Sequence, residues 1–314
     1  MLLYATLLRD GGTPPKGHAV SSQCSLGVLR SNQLLLHPRT GTFYSIDALN
    51  PDVVAFGGKY LMYFSGNSVA SATQPKWVTG LAVASRPSGP FRVDSSFRGN
   101  YLNGGTTQWR GGLWHLVEVV QGSVNELAES ADGRSWHHVA WLPAFRLDGR
   151  IVTGADFSLT VEHKELVASM FLVQPRPLYS AFTIARVRFN GRSWRGFEPI
   201  LQRDTGVNYE AYDIGEPYVF ENATGAANML YVATAADRVR SIAMAYRRHG
   251  HWARCANNPV IRAGAPWAKT IAIDPSVLRV GSATYVYYGG AANTGLGSDL
   301  GGMIGVASFA KDRR

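Results

Sequence analysis

The chain has 314 residues, of which 46% are hydrophobic and 17% are charged, and this composition fits a folded soluble protein rather than a disordered one. No apolar run approaches the roughly 20 residues that a bilayer-spanning helix needs, so a membrane-embedded chain is excluded. The formal net charge of +9 is spread along the chain without a run of more than two basic residues, which excludes a basic nucleic-acid-binding tail.

The N-terminal residues and the cysteines bear on the compartment. Residues 1–10 lack a basic segment and carry too short an apolar stretch for a signal peptide. The sequence as written therefore predicts a cytoplasmic protein, secreted only if a leader has been removed. Cys24 and Cys255 are the two cysteines, too few for a disulfide framework or a zinc site. We expect two buried or idle thiols rather than a bridge.

Residues 1–49 contain two strand-like stretches, 25–30 and 33–36, ahead of a segment type that recurs through the rest of the chain. Each copy starts with a polar or acidic residue, continues into a strand and is followed by a second apolar or aromatic strand. The first residues of successive copies lie 53 to 60 positions apart. The five copies occupy residues 50–54, 103–107, 156–160, 216–220 and 274–278.

Further strands follow each pair. In three copies a strand of small residues precedes a tight Gly-containing turn and then a tryptophan, at Trp136, Trp194 and Trp252. Asp-Gly and Asn-Gly pairs favour such hairpin turns. We expect these tryptophans to fill the space between neighbouring units, which is a structural role. A period of about 40–60 residues with several short strands per unit is typical of a β-propeller.

The sequence therefore predicts an all-β fold, a single five-bladed β-propeller over residues 1–314 with four-stranded antiparallel blades. The last blade runs out of chain after three strands, so we expect a strand from residues 1–49 to complete it and close the ring. Closure removes open sheet edges that favour aggregation. The innermost strands of a propeller start at its central channel, so the first residues of the five copies should form one ring: Asn50, Asn103, Asp156, Glu216 and Asp274.

Three of these ring residues are carboxylates, which favours one kind of chemistry. Hydrolysis of a glycosidic bond needs two carboxyl groups, one that protonates the leaving oxygen and one that activates water or attacks the sugar. A third carboxylate nearby raises the pKa of the acid by like-charge repulsion. The ring therefore predicts a carbohydrate substrate and no required cofactor. Arg86, Arg110 and Arg176 are candidate partners for an acidic sugar.

The five-fold pattern, the Asp-Pro-Ser-Val strand start at residues 274–277 and the Gly-Glu-Pro-Tyr-Val segment at residues 215–219 resemble the five-bladed glycoside hydrolases of family 43 and their relatives. The resemblance covers roughly residues 45–310. It implies an inverting mechanism with Glu216 as the general acid and Asp156 as the residue that tunes its pKa. Some propeller hydrolases hold a cation in the channel, so a structural calcium ion is compatible with the resemblance.

The resemblance also implies a general base at the start of the first blade, where this chain has Asn50, which cannot accept a proton. Three explanations stay open. Asp52 or Asp47 substitutes for the base, although strand alternation places Asp52 about 6–7 Å deeper on the same face. Asp274, in the blade next to the first around the ring, supplies the base instead. In the third explanation the protein hydrolyses nothing and is a non-catalytic glycan-binding propeller.

Polar and aromatic residues near the ring are candidates for sugar contacts, because functional residues concentrate on loops that a rigid scaffold positions. The predicted substrate-binding residues are Asn50, Asn103, Trp109, Tyr212 and Asp213, with Tyr101 and Tyr209 as further aromatic candidates. A protein-interaction scaffold would instead have a narrow channel and no sugar-sized pocket.

Overall fold

The computed structural model describes residues 24–69, 77–99, 102–120, 123–175, 178–222, 225–292 and 300–310, without the side chains of residues 102, 103, 120, 175, 178 and 179. Within these ranges nearly all regular structure is β-strand, and the helical part is the 3-10 turn Asn208–Glu210 together with the single 3-10 residue Cys24. None of the described segments forms a helix that is long and apolar enough to cross a membrane. The all-β prediction is confirmed.

The strands pair into antiparallel sets that we call sheets I to V. Sheet I contains β2 (Asp47–Phe56), β3 (Lys59–Asn67), β4 (Trp77–Ala84) and β5 (Arg92–Val93). Sheet II contains β6 (Leu102–Trp109), β7 (Gly112–Val120), β8 (Val124–Ser130) and β9 (His137–Leu142). Sheet III contains β11 (Arg150–Glu162), β12 (Glu165–Pro175), β13 (Leu178–Phe189) and β14 (Trp194–Gln202), and the short β10 (Phe145–Leu147) pairs with β11.

Sheets IV and V complete the set. Sheet IV contains β15 (Asp213–Glu221), β16 (Ala227–Thr234), β17 (Arg240–Arg248) and β18 (His251–Arg254). Sheet V contains β19 (Ile271–Val280), β20 (Ala283–Ala291), β21 (Met303–Ala310) and, antiparallel to β21, β1 (Val28–Leu36). One parallel bridge, between Arg240 and Ile271, links these two sheets. The first described strand of the chain therefore lies beside the last.

The first strands of the five sheets contact one another in cyclic order. Strand β2 contacts β6, β6 contacts β11, β11 contacts β15, β15 contacts β19, and β19 contacts β2. Each of the five recurring sequence segments falls inside one of these strands. The residues that start the segments are therefore held on neighbouring strands around a common centre.

Tight turns between the first and second strands fix the register of sheets I to III. Gly57 and Gly58, Arg110 and Gly111, and His163 and Lys164 are the central residue pairs, and all six have positive φ. Positive φ at both central residues is the type I′ geometry, whose twist matches that of the flanking strands. A fixed turn determines which residues of the two strands face each other. The first strands of sheets I to III are therefore held in comparable register with their second strands.

The three tryptophans that follow the outer hairpin turns pack where neighbouring sheets meet. Trp136 packs against a cluster drawn from sheets I and II, and its ring lies 5.7 Å from that of Tyr63. Trp194 packs against the cluster between sheets II and III, and Trp252 against the cluster between sheets III and IV. These contacts agree with the structural role expected from the sequence.

The expectation of two free thiols is wrong. Cys24 and Cys255 are both buried and form a disulfide, with their Cα atoms 5.6 Å apart. Cys24 precedes β1 of sheet V, and Cys255 follows β18 of sheet IV, so the bridge ties these two sheets together. The 231-residue separation in sequence gave no sign of this proximity.

Candidate functional site

Four first strands carry the same backbone irregularity at the ring position. Asn50, Asp156, Glu216 and Asp274 have φ of 53°, 48°, 49° and 52°, values that non-glycine residues seldom adopt. At each of them two residues of the first strand oppose one residue of the second, which is a β-bulge. The pairing of β6 shifts at the matching place, around residue 103. A bulge re-aims the side chain that it carries, here toward the centre of the ring.

Carboxylates satisfy the backbone N–H groups that these bulges free from the strand ladder. Asn50 N donates to Asp274 Oδ2 at 3.2 Å, and Asp274 N donates to Glu216 Oε2 at 2.9 Å. Asp156 N donates to Glu118 Oε1 at 3.0 Å. Each carboxylate is thus fixed against the backbone of the next sheet, which is how the fold holds several acids close together.

Five predicted residues line one cavity at the centre of the ring: Asn50, Asp52, Asp156, Glu216 and Asp274. Its volume is about 30 Å³. A cavity needs roughly 10–15 Å³ to hold one water molecule. The centre of the ring therefore has room for one or two waters and not for a sugar, so a sugar would have to bind outside it.

Crowding and burial keep protons on the ring. The pKa values of Asp156 and Asp274 are raised well above the usual range, first by burial and then by neighbouring carboxylates. For Asp274 those neighbours are Glu216 and Asp156, and its carboxyl is also hydrogen-bonded to that of Glu216. The hydrogen bond from the Asn50 N–H lowers the pKa of Asp274, and the charge of Arg240 lowers that of Asp156, but both effects are smaller than the raising ones. Burial and the neighbouring carboxylates therefore favour the protonated forms of Asp156 and Asp274.

Asp52 lines the same cavity although it is two residues past Asn50. Its side chain is 4% exposed, and burial raises the pKa of its carboxyl to about 7, against the lowering effect of hydrogen bonds from Thr106 and Ser276. The bulge at residues 50 and 51 interrupts the simple alternation of β2. Asp52 therefore reaches the lining of the central cavity from a position deeper along the strand.

A second cavity of about 170 Å³ adjoins the ring, and Glu216 is the one residue among its described lining that also lines the central cavity. Tyr212, Asp213 and Arg240 line it too. Asp213 accepts a hydrogen bond from Ser180 Oγ at 2.8 Å, and burial is the main cause that raises the pKa of its carboxyl. The guanidinium of Arg238 stacks over the Tyr212 ring at 3.4 Å. Two of the predicted substrate-binding residues, Tyr212 and Asp213, thus line this cavity, and their contact with a substrate stays a prediction.

Trp109 requires a correction, because it does not lie near the ring. It is 6% exposed and packs against Trp114, with the two rings 4.8 Å apart. Its Nε1 donates to Lys164 O at 3.2 Å. Trp109 ends β6, and six residues of strand separate it from residue 103, which is about 20 Å along the strand. It is a core residue.

Asp47 is also placed away from the central cavity. It is fully buried and accepts hydrogen bonds from the backbone N–H groups of Leu300 and Gly302 and from Asn67 Nδ2. Its carboxylate therefore holds the loop before β21 onto sheet I. Arg110 stacks on Trp109 at 4.0 Å, far from the ring. The Asn103 side chain, Tyr101 and Arg176 lie outside the described residues.

Two residues of the site were missed from the sequence. Glu118 comes from the second strand of sheet II, is fully buried and accepts the N–H of Asp156. A carboxylate inside the apolar strand of residues 112–120 was a usable signal. Arg240, at the start of β17, had no signal, because its proximity to Asp156 depends on how the sheets are placed. Within the described ranges, no group of three or more His, Cys, Asp and Glu side chains is arranged to hold a metal ion.

No family model matches the chain, and no curated protein matches it either. Solved structures do. An α-L-arabinofuranosidase from Podospora anserina, solved with cellotriose, aligns with a TM-score of 0.66 at 11% identity over 92% of this chain and 99% of its own. The β-1,2-mannobiose phosphorylase from Listeria innocua aligns with a TM-score of 0.68 at 11% identity over 90% and 96%. A thermostable family-43 glycoside hydrolase gives 0.61 at 13% over 82% and 88%. The chain shares the β-propeller fold of these proteins.

Proposed function

We propose that sheets I to V are the blades of one five-bladed propeller, closed by β1, and that this propeller is an inverting glycoside hydrolase. The observation that carries the proposal is the position of Glu216. It stands between a cavity of about 170 Å³ on one side and the water-sized cavity of about 30 Å³ on the other. A carboxyl group that borders a pocket of sugar-ring size can protonate the leaving oxygen of a glycoside bound there, while the attacking water must lie on the opposite face of the sugar, beside the base.

In this proposal Glu216 is the general acid. An acid must carry its proton when the substrate arrives, and a ring of crowded, buried carboxyls favours the protonated form. Asp274, whose pKa is raised, is hydrogen-bonded to Glu216 and can supply it with a proton, and Asp156 adds a second carboxyl of raised pKa nearby. Glu216 gives the proton to the leaving oxygen as the glycosidic bond breaks, and the ring then restores it.

Asp274 is reassigned from base to partner of the acid. A base and an acid that act on opposite faces of a sugar must stand roughly 6.5–9.5 Å apart to leave room for water. A carboxyl that is hydrogen-bonded to Glu216 cannot do so. Asp274 and Asp156 are therefore positioning and pKa-tuning groups.

Asp52 is the proposed base. Its pKa of about 7 suits a group that must accept a proton near neutral pH. It lines the central cavity, which has room for water. Asp52 takes a proton from the attacking water as the water oxygen bonds to the anomeric carbon on the face of the sugar opposite Glu216. The reaction needs no cofactor.

The ligand is proposed to be a neutral or acidic sugar ring bound in the pocket of Tyr212, Asp213 and Glu216. Arg240 is the cation that lines this pocket, so it replaces the three arginines suggested by the sequence as the partner for a carboxylate. The buried disulfide supports an oxidising compartment for the protein, in place of the cytoplasmic location expected from residues 1–10.

The test is incubation with a panel of oligosaccharides and aryl glycosides, read by mass spectrometry and by the anomeric configuration of the product. We expect one class to be cleaved with inversion. Glu216→Gln should lower kcat by about 10²–10⁴-fold, the usual contribution of a positioned general acid. Glu129→Gln, at an exposed carboxylate of β8, is the matched control and should keep the full rate.

Asn50 is the observation that favours a second candidate, a non-catalytic glycan-binding propeller. If no glycoside is cleaved and a glycan raises the melting temperature of wild type and Glu216→Gln alike, the hydrolase proposal is wrong and the binding protein is right.

A further inference from the structure

A basic groove lies at the outer edge of the molecule, between the end of β1 and strand β5. Its volume is about 450 Å³, within the range of ligand pockets. Arg39, Arg92 and Arg98 line it together with His37, and none of the side chains that line it is acidic. The sequence did not indicate this cluster, because its residues come from two separate stretches, 35–44 and 91–98.

Two of the three guanidinium groups have no counter-charge in the described part of the chain. The side chains of Arg39 and Arg92 are exposed and make no hydrogen bond or ion pair with a described residue. Asp94, which follows β5 in sequence, is paired with Arg134 and accepts hydrogen bonds from Ser96. The positive charge of the groove therefore remains available to an anion.

Arg98 has a different role. Its guanidinium stacks over the ring of Phe43 at 3.9 Å, and its Nη1 donates to Asp94 O at 3.3 Å. It forms one wall of the groove. Arg39 and Arg92 are free of such packing, so they can orient toward a ligand.

We propose that this groove binds an acidic oligosaccharide, with its carboxylate groups paired to Arg39 and Arg92. Guanidinium groups match carboxylates as bidentate partners. A nucleic acid would also supply anions, but it gains affinity from aromatic faces on which bases stack. Here Arg98 covers Phe43, while Tyr44 and Phe91 are only 5% and 8% exposed. The groove offers charge without a stacking platform, which favours a sugar acid.

The experiment measures dissociation constants by calorimetry at low ionic strength with three probes of similar length: hexagalacturonate, neutral cellohexaose and hexathymidylate. The variant is Arg39→Gln with Arg92→Gln, which keeps most of each side chain. The control is Arg150→Gln with Arg192→Gln, which removes two exposed charges outside the groove. Both double variants change the net charge equally.

We expect hexagalacturonate to bind more tightly than the other two probes and to weaken as salt is added. The groove variant should weaken that binding by about tenfold or more, and the control variant by about twofold or less. If binding weakens equally in the two double variants, the effect comes from net charge alone and the proposal is wrong. Hexathymidylate binding as tightly as hexagalacturonate would overturn it in favour of a nucleic acid. Both results are independent of cleavage at Glu216.

Discussion

Sheets I and IV bend their first strands at the same place, yet they present different chemistry there. Asn50 and Glu216 both stand at a bulge with φ near 50°, and both precede a proline. Asn50 donates its backbone N–H to a neighbouring carboxylate, whereas Glu216 accepts such a bond and faces two cavities. The bend is therefore a property of the repeated fold, and the chemistry depends on the side chain that each bend carries.

The difference also indicates how an acid can move while the fold stays the same. In sheet I the carboxylate is two residues farther along the strand, at Asp52, and still lines the central cavity. Sheet I therefore still contributes a carboxylate to the central cavity, but from a position two residues past Asn50. The predictions below test whether this displaced carboxylate serves the reaction.

The largest effect is expected for Asp52→Asn. If Asp52 is the base of sheet I, kcat should fall by about 10²–10⁴-fold, although the residue lies outside the pocket of Glu216. The same change should stabilise the protein at pH 8. The folded pKa of about 7 against the ordinary 3.8 corresponds to as much as about 4 kcal/mol, at 1.36 kcal/mol per pKa unit.

The pH dependence of the free energy of unfolding is set by the difference in proton binding between the folded and unfolded chains. Between pH 4 and pH 7 the unfolded chain ionises at Asp52 while the folded chain keeps its proton, so wild-type stability falls as pH rises. Urea unfolding at pH 4 and pH 8 should therefore show a gain for Asp52→Asn only at the higher pH. A full rate in this variant would remove Asp52 from the mechanism even if the stability gain appears.

A smaller effect is expected when sheet I is made to resemble sheet IV. Asn50→Asp places another carboxyl beside Asp274, whose own pKa is already raised by crowding. We expect a loss of about 1–3 kcal/mol in the free energy of unfolding at pH 8. The new carboxyl also has a raised folded pKa, so the loss should shrink as pH falls toward 4.

The matched control is the double variant Asn50→Asp with Asp274→Asn, which exchanges the two side-chain types and leaves the number of carboxyls unchanged. Its unfolding free energy should return to within about 1 kcal/mol of wild type if crowding is the cause. If the double variant is as unstable as Asn50→Asp alone, Asn50 is required for packing rather than for its neutral charge.

The sequence was sufficient to place the strands and the ring, because both depend on a pattern that repeats. Five similar segments put Asn50, Asp156, Glu216 and Asp274 at equivalent heights on neighbouring strands, and the structure brings these four to one cavity. A one-dimensional repeat can predict equivalence, since each copy of the segment lies in the first strand of its sheet.

The residues that were misassigned or missed depend on contacts that no repeat encodes. The sequence predicts Trp109 as a substrate-binding residue because it follows the ring position closely. Six residues of extended strand place it about 20 Å from residue 103. Arg240 and the Cys24–Cys255 bridge depend on the packing of sheet IV against its neighbours. Glu118 enters the site from a second strand, where the repeat has no polar position.

The smallest effect is expected at a carboxylate of the opposite kind, on an exposed turn. Asp132 accepts hydrogen bonds from the backbone N–H groups of Ser135 and Arg134 at 2.8 and 2.7 Å, and these bonds hold its pKa well below the usual value. Asp132→Asn keeps an acceptor but loses the charge, so we expect a loss of about 1 kcal/mol at pH 7.

The pH dependence should also be opposite to that of Asp52. A lowered folded pKa stabilises the protein above the unfolded value near 4, and that contribution disappears as pH falls. The stability difference between Asp132→Asn and wild type should therefore narrow as pH falls below about 4, where the difference between Asp52→Asn and wild type is already absent, and the two variants should diverge in opposite directions at pH 8. At pH 8 we thus expect Asp132→Asn to lower the free energy of unfolding and Asp52→Asn to raise it. The charge of Asp132 stabilises the fold, whereas the charge of Asp52 destabilises it, as expected if Asp52 serves the reaction rather than stability.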